Sequence, residues 1–122
     1  MTDLAVAPLP ISEAQLQDAI VDLARLRGWK VAHFAPARTD KGHRTPCRYD
    51  AEGWPDLVIC REPTSVYRPG IYIVPCNEVL YWEVKSEKGK VSAAQQAWLD
   101  VLGGRVIRPS DWIDGTVERL LE

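Results

Sequence analysis

The sequence predicts an α/β fold, with a small mixed central sheet flanked by helices. Two segments have apolar residues at helical spacing, and each begins with a capping-box pattern. The segment VLYWEVK at 79–85 has the composition of a strand, and shorter strand-like segments lie on either side of it. Because helical and strand-like segments alternate along the chain, we expect a sheet covered by helices.

The length of the chain predicts one domain. Its 122 residues are 46% hydrophobic, which suits a single core over residues 11–122, preceded by a flexible Pro- and Ala-rich arm at 1–10. No apolar run approaches the ~20 residues of a membrane span. The N-terminus also lacks the basic start and long apolar stretch of a secretory signal. We therefore expect a soluble, cytoplasmic protein with no membrane partner.

The local patterns predict the elements in order. A helix begins after Ser12, with Gln15 completing a capping box, and ends near Gly28. Strands follow at 29–34 and 57–60, separated by a polar loop at 35–52, and a further strand or hairpin arm is expected at 71–74. The strand at 79–85 leads through a charged turn to a second helix that begins at Ser92 and stops at Gly103. A strand at 105–108 and a closing helix at 112–121 complete the domain.

Charge and cysteine content restrict the function. The net charge of −2 does not by itself indicate a nucleic-acid-binding protein, but residues 25–48 carry a single acid, Asp40, among seven basic residues. This segment can form a phosphate-binding face or simply a solvated loop. The three cysteines lie far apart, and neither a CxxC nor an HxxxH pair is present, so we expect reduced thiols rather than a zinc site. The basic residues of the loop that we expect to contact DNA are Arg38, Lys41, Arg44 and Arg48.

Two short motifs carry the chemistry. In Gly53-Trp54-Pro55-Asp56, the carboxylate lies where a polar loop becomes an apolar strand. In Glu83-Val84-Lys85, the two charged side chains share one face of a strand. Burying them is costly unless they are paired or bind a metal, and the competing interpretation is an edge strand with a solvated face.

A hard divalent cation suits these residues. Asp56 and Glu83 can supply carboxylate oxygens to Mg²⁺, which keeps several waters and needs few protein ligands. Lys85 can orient or help deprotonate an attacking water and offset charge that builds on a phosphate. Two acids and a lysine around a metal are thus suited to phosphodiester hydrolysis.

The motifs together resemble those of the VRR-NUC family of the PD-(D/E)xK nuclease superfamily. They occur in order as Gly53-x-Pro55-Asp56, then Glu83-x-Lys85, then a helix that opens with Ser92-x-x-Gln95-x-x-Trp98. The resemblance extends over residues 12–120 and implies a restriction-endonuclease-like core. It implies a phosphodiesterase that cleaves DNA with Mg²⁺ or Mn²⁺ and needs no small-molecule cofactor.

The resemblance also implies roles for individual residues. Asp56 and Glu83 would bind the metal, the Val84 carbonyl would be a further ligand, and Lys85 would be the catalytic lysine. Gln95 matches a glutamine expected near the active site, although it can equally be a helix cap, and Gln96 is a second possible match. Glu13 matches an acid that reaches the metal in many members, or is only a favourable charge in a helix first turn.

The resemblance leaves the substrate open. Stand-alone members of the family are typically phage or bacterial proteins, and a homodimer would suit a symmetrical substrate such as a Holliday (four-way) junction. A flap, duplex-repair or restriction-like nuclease would use the same residues. The sequence is also compatible with a non-catalytic DNA-binding module of the same fold, and with an interaction protein that has a solvated Glu/Lys strand.

Overall fold

A computed structural model describes residues 11–34, 37–39, 42–44, 49–63, 70 and 77–122, with the backbone alone at 37–39 and 42–44. The helices are α1 (Glu13–Leu26), α2 (Ala93–Leu102), α3 (Pro109–Ile113) and α4 (Thr116–Leu120). The strands are β1 (Lys30–His33), β2 (Ala37–Thr39), β3 (Gly42–Arg44), β4 (Leu57–Arg61), β5 (Glu78–Val84) and β6 (Arg105–Ile107). The predicted N-terminal arm and the predicted strand at 71–74 lie outside the described residues.

Four strands form the central sheet in the order β1-β4-β5-β6. The β1–β4 and β4–β5 pairs are antiparallel, and the β5–β6 pair is parallel. This small mixed sheet flanked by helices confirms the predicted α/β class and is consistent with a restriction-endonuclease-like core. Because β5 is hydrogen-bonded on both sides, the Glu83 strand is an interior strand and not a solvated edge strand.

The core lies between one face of the sheet and α1, α3 and α4. Helix α1 contributes Leu16, Ile20 and Ala24, which are spaced four residues apart and therefore lie along one stripe of the helix. They pack with apolar side chains of β4, β5, β6, α4 and the α4 C-cap, namely Leu57, Ile59, Trp82, Val84, Ile107, Val117 and Leu121. Trp82 and Val84 point into this core, so Glu83 points to the opposite face of the sheet, where α2 packs.

Both predicted capping boxes are present. In α1 the amide of Gln15 donates to Ser12 Oγ at 3.1 Å, and in α2 the amide of Gln95 donates to Ser92 Oγ at 3.1 Å. Gly28 follows the α1 C-cap with φ +88°, a left-handed conformation that glycine adopts without steric cost. The helix boundaries predicted from these caps are therefore confirmed.

Two predicted elements were wrong. The segment predicted as a loop at 35–52 contains an antiparallel hairpin formed by β2 and β3. Strands of three residues can pair through their backbones without an apolar face, so hydrophobic periodicity does not reveal them. The single closing helix is instead two short helices, because Gly115 between α3 and α4 has φ +84°.

None of the helices within the described ranges is long and apolar enough to cross a membrane. Cys60 is a half-buried free thiol on β4. Cys47 and Cys76 lie outside the described residues.

Candidate active site

Asp56 and Glu83 lie opposite each other on adjacent strands. Leu57 of β4 pairs with Trp82 of β5, and in an antiparallel ladder the preceding residue of one strand faces the following residue of the other. The Asp56 carbonyl accepts a hydrogen bond from the amide of Phe34 at 3.0 Å, so its backbone remains in line with the sheet. The two carboxylates that the sequence predicted are thus brought together by strand register.

The two acidic residues are tied by reciprocal hydrogen bonds. The Asp56 amide donates to Glu83 Oε2 at 3.3 Å, and the Val84 amide donates to Asp56 Oδ2 at 2.9 Å. Val84 therefore has its side chain in the core and its backbone amide at the site. The strand backbones thus fix one oxygen of each carboxylate.

Glu83 is buried among polar partners. Its side chain is almost inaccessible, with the residue 2% exposed, and Oε1 accepts a hydrogen bond from Gln95 Nε2 at 2.8 Å. Lys85 Nζ lies 3.6 Å from the same oxygen. Burial, and after it the negative charge of Asp56, raise the pKa of Glu83 to about 7, while Lys85 partly opposes this shift.

Gln95 serves both functions that the sequence left open. Its Oε1 accepts from the Ser92 amide at 2.9 Å, which caps α2, while its Nε2 donates to Glu83. Gln96 has an exposed side chain and donates instead to Asp100 on its own helix. Gln95 is therefore the glutamine of α2 that faces the two acids.

The close approach of α2 depends on Gly53. This residue has φ +85°, and a Cβ there would lie 2.5 Å from the carbonyl carbon of Ala94 and 2.7 Å from the amide nitrogen of Gln95. Only glycine permits this contact, so Gly53 allows the first turn of α2 to reach the site. The sequence motif contains Gly53 but does not identify α2 as the element that contacts it.

Trp98 of α2 also binds the turn that precedes Asp56. Its indole Nε1 donates to the carbonyls of Asp50 and Glu52 at 3.0 and 3.1 Å. Its ring packs edge-to-face on Trp54, with ring centres 4.9 Å apart. The turn that precedes Asp56 is therefore fixed to α2 by both a glycine contact and a tryptophan.

The structure does not bring every predicted residue to this site. Glu13 is exposed in the first turn of α1, and no group of three or more His, Cys, Asp or Glu side chains arranged to hold a metal occurs in the part of the chain that is described. Glu13 as a metal ligand stays a prediction. Arg38 and Arg44 lie on β2 and β3 with undescribed side chains, and Lys41 and Arg48 lie outside the described residues.

The donor set suits a hard divalent cation. Two carboxylates from adjacent strands give oxygen ligands, and Mg²⁺ commonly uses one or two carboxylates and completes its shell with water. Burial is the main cause of the raised pKa of Glu83, and the negative charge of Asp56, which Lys85 only partly compensates, raises it further. A bound cation would relieve that repulsion and favour the ionised form of Glu83.

Most of the chain matches the model of a known protein family. The model of the VRR-NUC domain matches residues 11–110. The chain belongs to the VRR-NUC family. This is a nuclease family of the PD-(D/E)xK superfamily, and its matched region contains Asp56, Glu83, Lys85 and Gln95. No curated protein and no solved structure matched the chain. Membership supports a nuclease, with DNA as its substrate.

Proposed function

We propose that this VRR-NUC chain is a Mg²⁺- or Mn²⁺-dependent endonuclease that hydrolyses phosphodiester bonds in branched DNA. Its preferred substrate is the four-way junction, and it acts as a homodimer. The observation that carries the proposal is the convergence of Asp56, Glu83 and Lys85 where β4 begins and β5 ends, in a member of a nuclease family.

Each residue of the site has a defined task in the proposed reaction. Asp56 and Glu83 would hold the metal, with the Val84 carbonyl and Glu13 as further candidate ligands. A divalent cation bound there would polarise the scissile phosphate and make a bound water more acidic. Lys85 Nζ orients the attacking water and offsets the negative charge that develops on the phosphate. Gln95 holds the Glu83 carboxylate through its 2.8 Å hydrogen bond.

The basic hairpin region supplies the DNA contacts in this proposal. Arg38 and Arg44 are on β2 and β3, and Lys41 and Arg48 are close to them in sequence. Such side chains neutralise phosphates without reading sequence, which suits an enzyme that selects DNA by shape. Two copies related by a two-fold axis would present two active sites to the symmetrical arms of a junction, which is the reason for proposing the dimer.

The test compares substrates, metals and a matched pair of variants. Labelled four-way junction, flap and linear duplex are incubated with Mg²⁺, Mn²⁺ or EDTA, using wild type, Asp56→Asn and Asp22→Asn. Asp22 is an exposed acid on α1 and controls for the loss of one negative charge. We expect cleavage of the junction by wild type and Asp22→Asn with either metal, and no cleavage with EDTA or by Asp56→Asn. Light scattering during size-exclusion chromatography gives the oligomeric state.

Three different results would each contradict one part of this proposal: the substrate, the metal dependence or the catalytic activity. Faster cleavage of flap or plain duplex would replace junction resolution with repair or restriction-like processing by the same residues. Cleavage that persists in EDTA would contradict the metal-dependent mechanism. Binding of DNA without cutting of any substrate would favour a non-catalytic module.

A further inference from the structure

Arg108 holds the turn that follows Lys85. Its Nη1 donates to the carbonyl oxygens of Ser86 at 2.7 Å, Gly89 at 2.8 Å and Glu87 at 3.2 Å. One guanidinium nitrogen therefore serves three acceptors of a single turn, which begins directly after the lysine. An arginine that donates to three backbone carbonyls of one turn fixes the shape of that turn.

Residues close to Arg108 in sequence also bind the segment at 85–89. The Lys85 amide donates to the Ile107 carbonyl at 3.0 Å, and the Ser110 amide donates to Glu87 Oε2 at 3.0 Å. Arg108 is itself fixed, because its amide donates to Asp111 Oδ2 at 2.8 Å. The segment at 107–110 therefore contacts the chain both before and after Ser86, at Lys85 and at Glu87.

Lys85 lies between the last residue of β5 and the turn that Arg108 binds. Strand β5 ends at Val84, so Lys85 is the first residue beyond its regular part. Its long side chain has many rotamers, yet it is 16% exposed and holds its Nζ 3.6 Å from Glu83 Oε1. A rotation of the backbone at Lys85 or Ser86 would move that nitrogen away from the acids.

We propose that Arg108 is a positioning residue for Lys85. By fixing the turn at 86–89, it holds the lysine backbone in the orientation that places Nζ beside Glu83. The inference rests on the proposed nuclease activity, in which Lys85 acts on the water and the phosphate. Displacement of a catalytic group by about 1 Å can cost ~100-fold in rate, so a residue that touches no substrate can control turnover.

The experiment uses Arg108→Met, Arg108→Lys and a matched control, Arg27→Met. Arg27 also donates to a backbone carbonyl, that of Glu118, and pairs with the Glu118 carboxylate, but it lies at the far end of α1. We measure kcat and KM for DNA cleavage, the melting temperature, and amide hydrogen exchange of residues 85–90. All assays are run well below the lowest melting temperature of the set, so that every variant is folded.

Arg108→Met should lower kcat by ~10- to 100-fold while KM stays within about twofold, and should speed amide exchange in the turn. Arg108→Lys should recover part of kcat, because an ammonium can still donate to some of the three carbonyls. Arg27→Met should leave both kcat and exchange in the turn unchanged. If Arg108→Met does not fold, the inference is tested by the kcat and exchange of Arg108→Lys, which should lie between wild type and Lys85→Ala.

Three results would overturn the inference. The first is a wild-type kcat in Arg108→Met despite faster exchange. The second is an equal fall of kcat in Arg27→Met, which would indicate general destabilisation. The third is unchanged exchange at residues 85–90. If wild type cuts no DNA, the proposed function fails and this inference fails with it, whereas a cutting wild type with a fully active Arg108→Met refutes the inference alone.

Discussion

The Asp56 and Glu83 carboxylates are each bound by the backbone of the other's strand. Glu83 Oε2 accepts from the Asp56 amide, and Asp56 Oδ2 accepts from the amide of Val84, the residue after Glu83. The register of β4 against β5 therefore determines the separation of the two acids before any ligand binds. The arrangement preorganises a pair of oxygen donors, at the cost of holding like charges together.

The first prediction concerns pH. The pKa of Glu83 is about 7 in the folded protein, against 4.5 for the ordinary side chain, so folding favours its protonated form. The associated stability is fully present below pH 4.5 and is lost as pH rises through about 7. A shift from 4.5 to about 7 corresponds to about 3 kcal/mol. In EDTA, the melting temperature of wild type should fall relative to that of Glu83→Gln as pH rises across this window.

Mg²⁺ provides the control for this pH effect. At a pH above the pKa of Glu83, the cation should raise the melting temperature of wild type, because it binds the folded state, and should have much less effect on Glu83→Gln. A constant difference between the two proteins across the pH range would contradict the raised pKa of Glu83.

The second prediction separates Lys85 from nearby lysines. Lys85→Ala should reduce the cleavage rate at least ~100-fold and leave the protein folded, because it removes a group that stabilises developing charge. Lys88→Ala, an exposed lysine in the following turn, should retain the wild-type rate. Single-turnover cleavage and circular dichroism measure the two effects. Near-normal cleavage by Lys85→Ala would rule out the proposed role.

The third prediction uses the two similar capping boxes. Gln15→Ala and Gln95→Ala each remove the glutamine that accepts from the N-cap amide, at α1 and α2 respectively. Only Gln95 also donates to Glu83, and a hydrogen bond to a charged group contributes about 1.5–3 kcal/mol. We expect a fall of ~10-fold or more in kcat for Gln95→Ala and none for Gln15→Ala. Equal activities would show that Gln95 is only a cap.

The fourth prediction uses two glycines with nearly equal positive φ angles. Gly28 has φ +88° and Gly53 has φ +85°, so alanine at either position adds backbone strain of about 1–2 kcal/mol. At Gly28 no atom lies within 4 Å of the added Cβ, whereas at Gly53 it would overlap the first turn of α2. Urea denaturation should show Gly53→Ala to be less stable than Gly28→Ala by a further ~1–3 kcal/mol. Similar free energies of unfolding would mean that α2 moves away at little cost.

The fifth prediction concerns DNA binding by the basic hairpin. Replacing Arg38 and Arg44 with Gln should reduce the slope of log affinity against log salt by roughly 0.9 for each lost phosphate contact with duplex DNA. A control pair of exposed arginines outside the basic segment, Arg105→Gln with Arg119→Gln, should leave the slope unchanged. Fluorescence anisotropy at several salt concentrations measures it. An unaltered slope in the hairpin variant would argue against phosphate contacts there.

Some parts of the fold were accessible from sequence because their signals are local. Each capping box, the one that begins at Ser12 and the one that begins at Ser92, marks the start of a helix by a pattern of only four consecutive residues. The break at Gly115 and the hairpin of β2 and β3 were missed. A lone glycine is compatible with a helix as well as with a turn, and a strand of three residues is too short for an alternating pattern to identify it.

The sequence by itself determined the groups of the candidate site, Asp56, Glu83 and Lys85, whose side chains suit metal-dependent phosphodiester hydrolysis. Only the tertiary structure decided how they meet. Asp56 and Glu83 are 27 residues apart, and their contact depends on strand register. Glu83 accepts a hydrogen bond from Gln95 of α2, and the turn after Lys85 accepts one from Arg108, beyond β6. Local sequence patterns follow the side-chain periodicity of a single helix or strand. The contacts between segments form only when those segments pack around one core, so local patterns do not predict them.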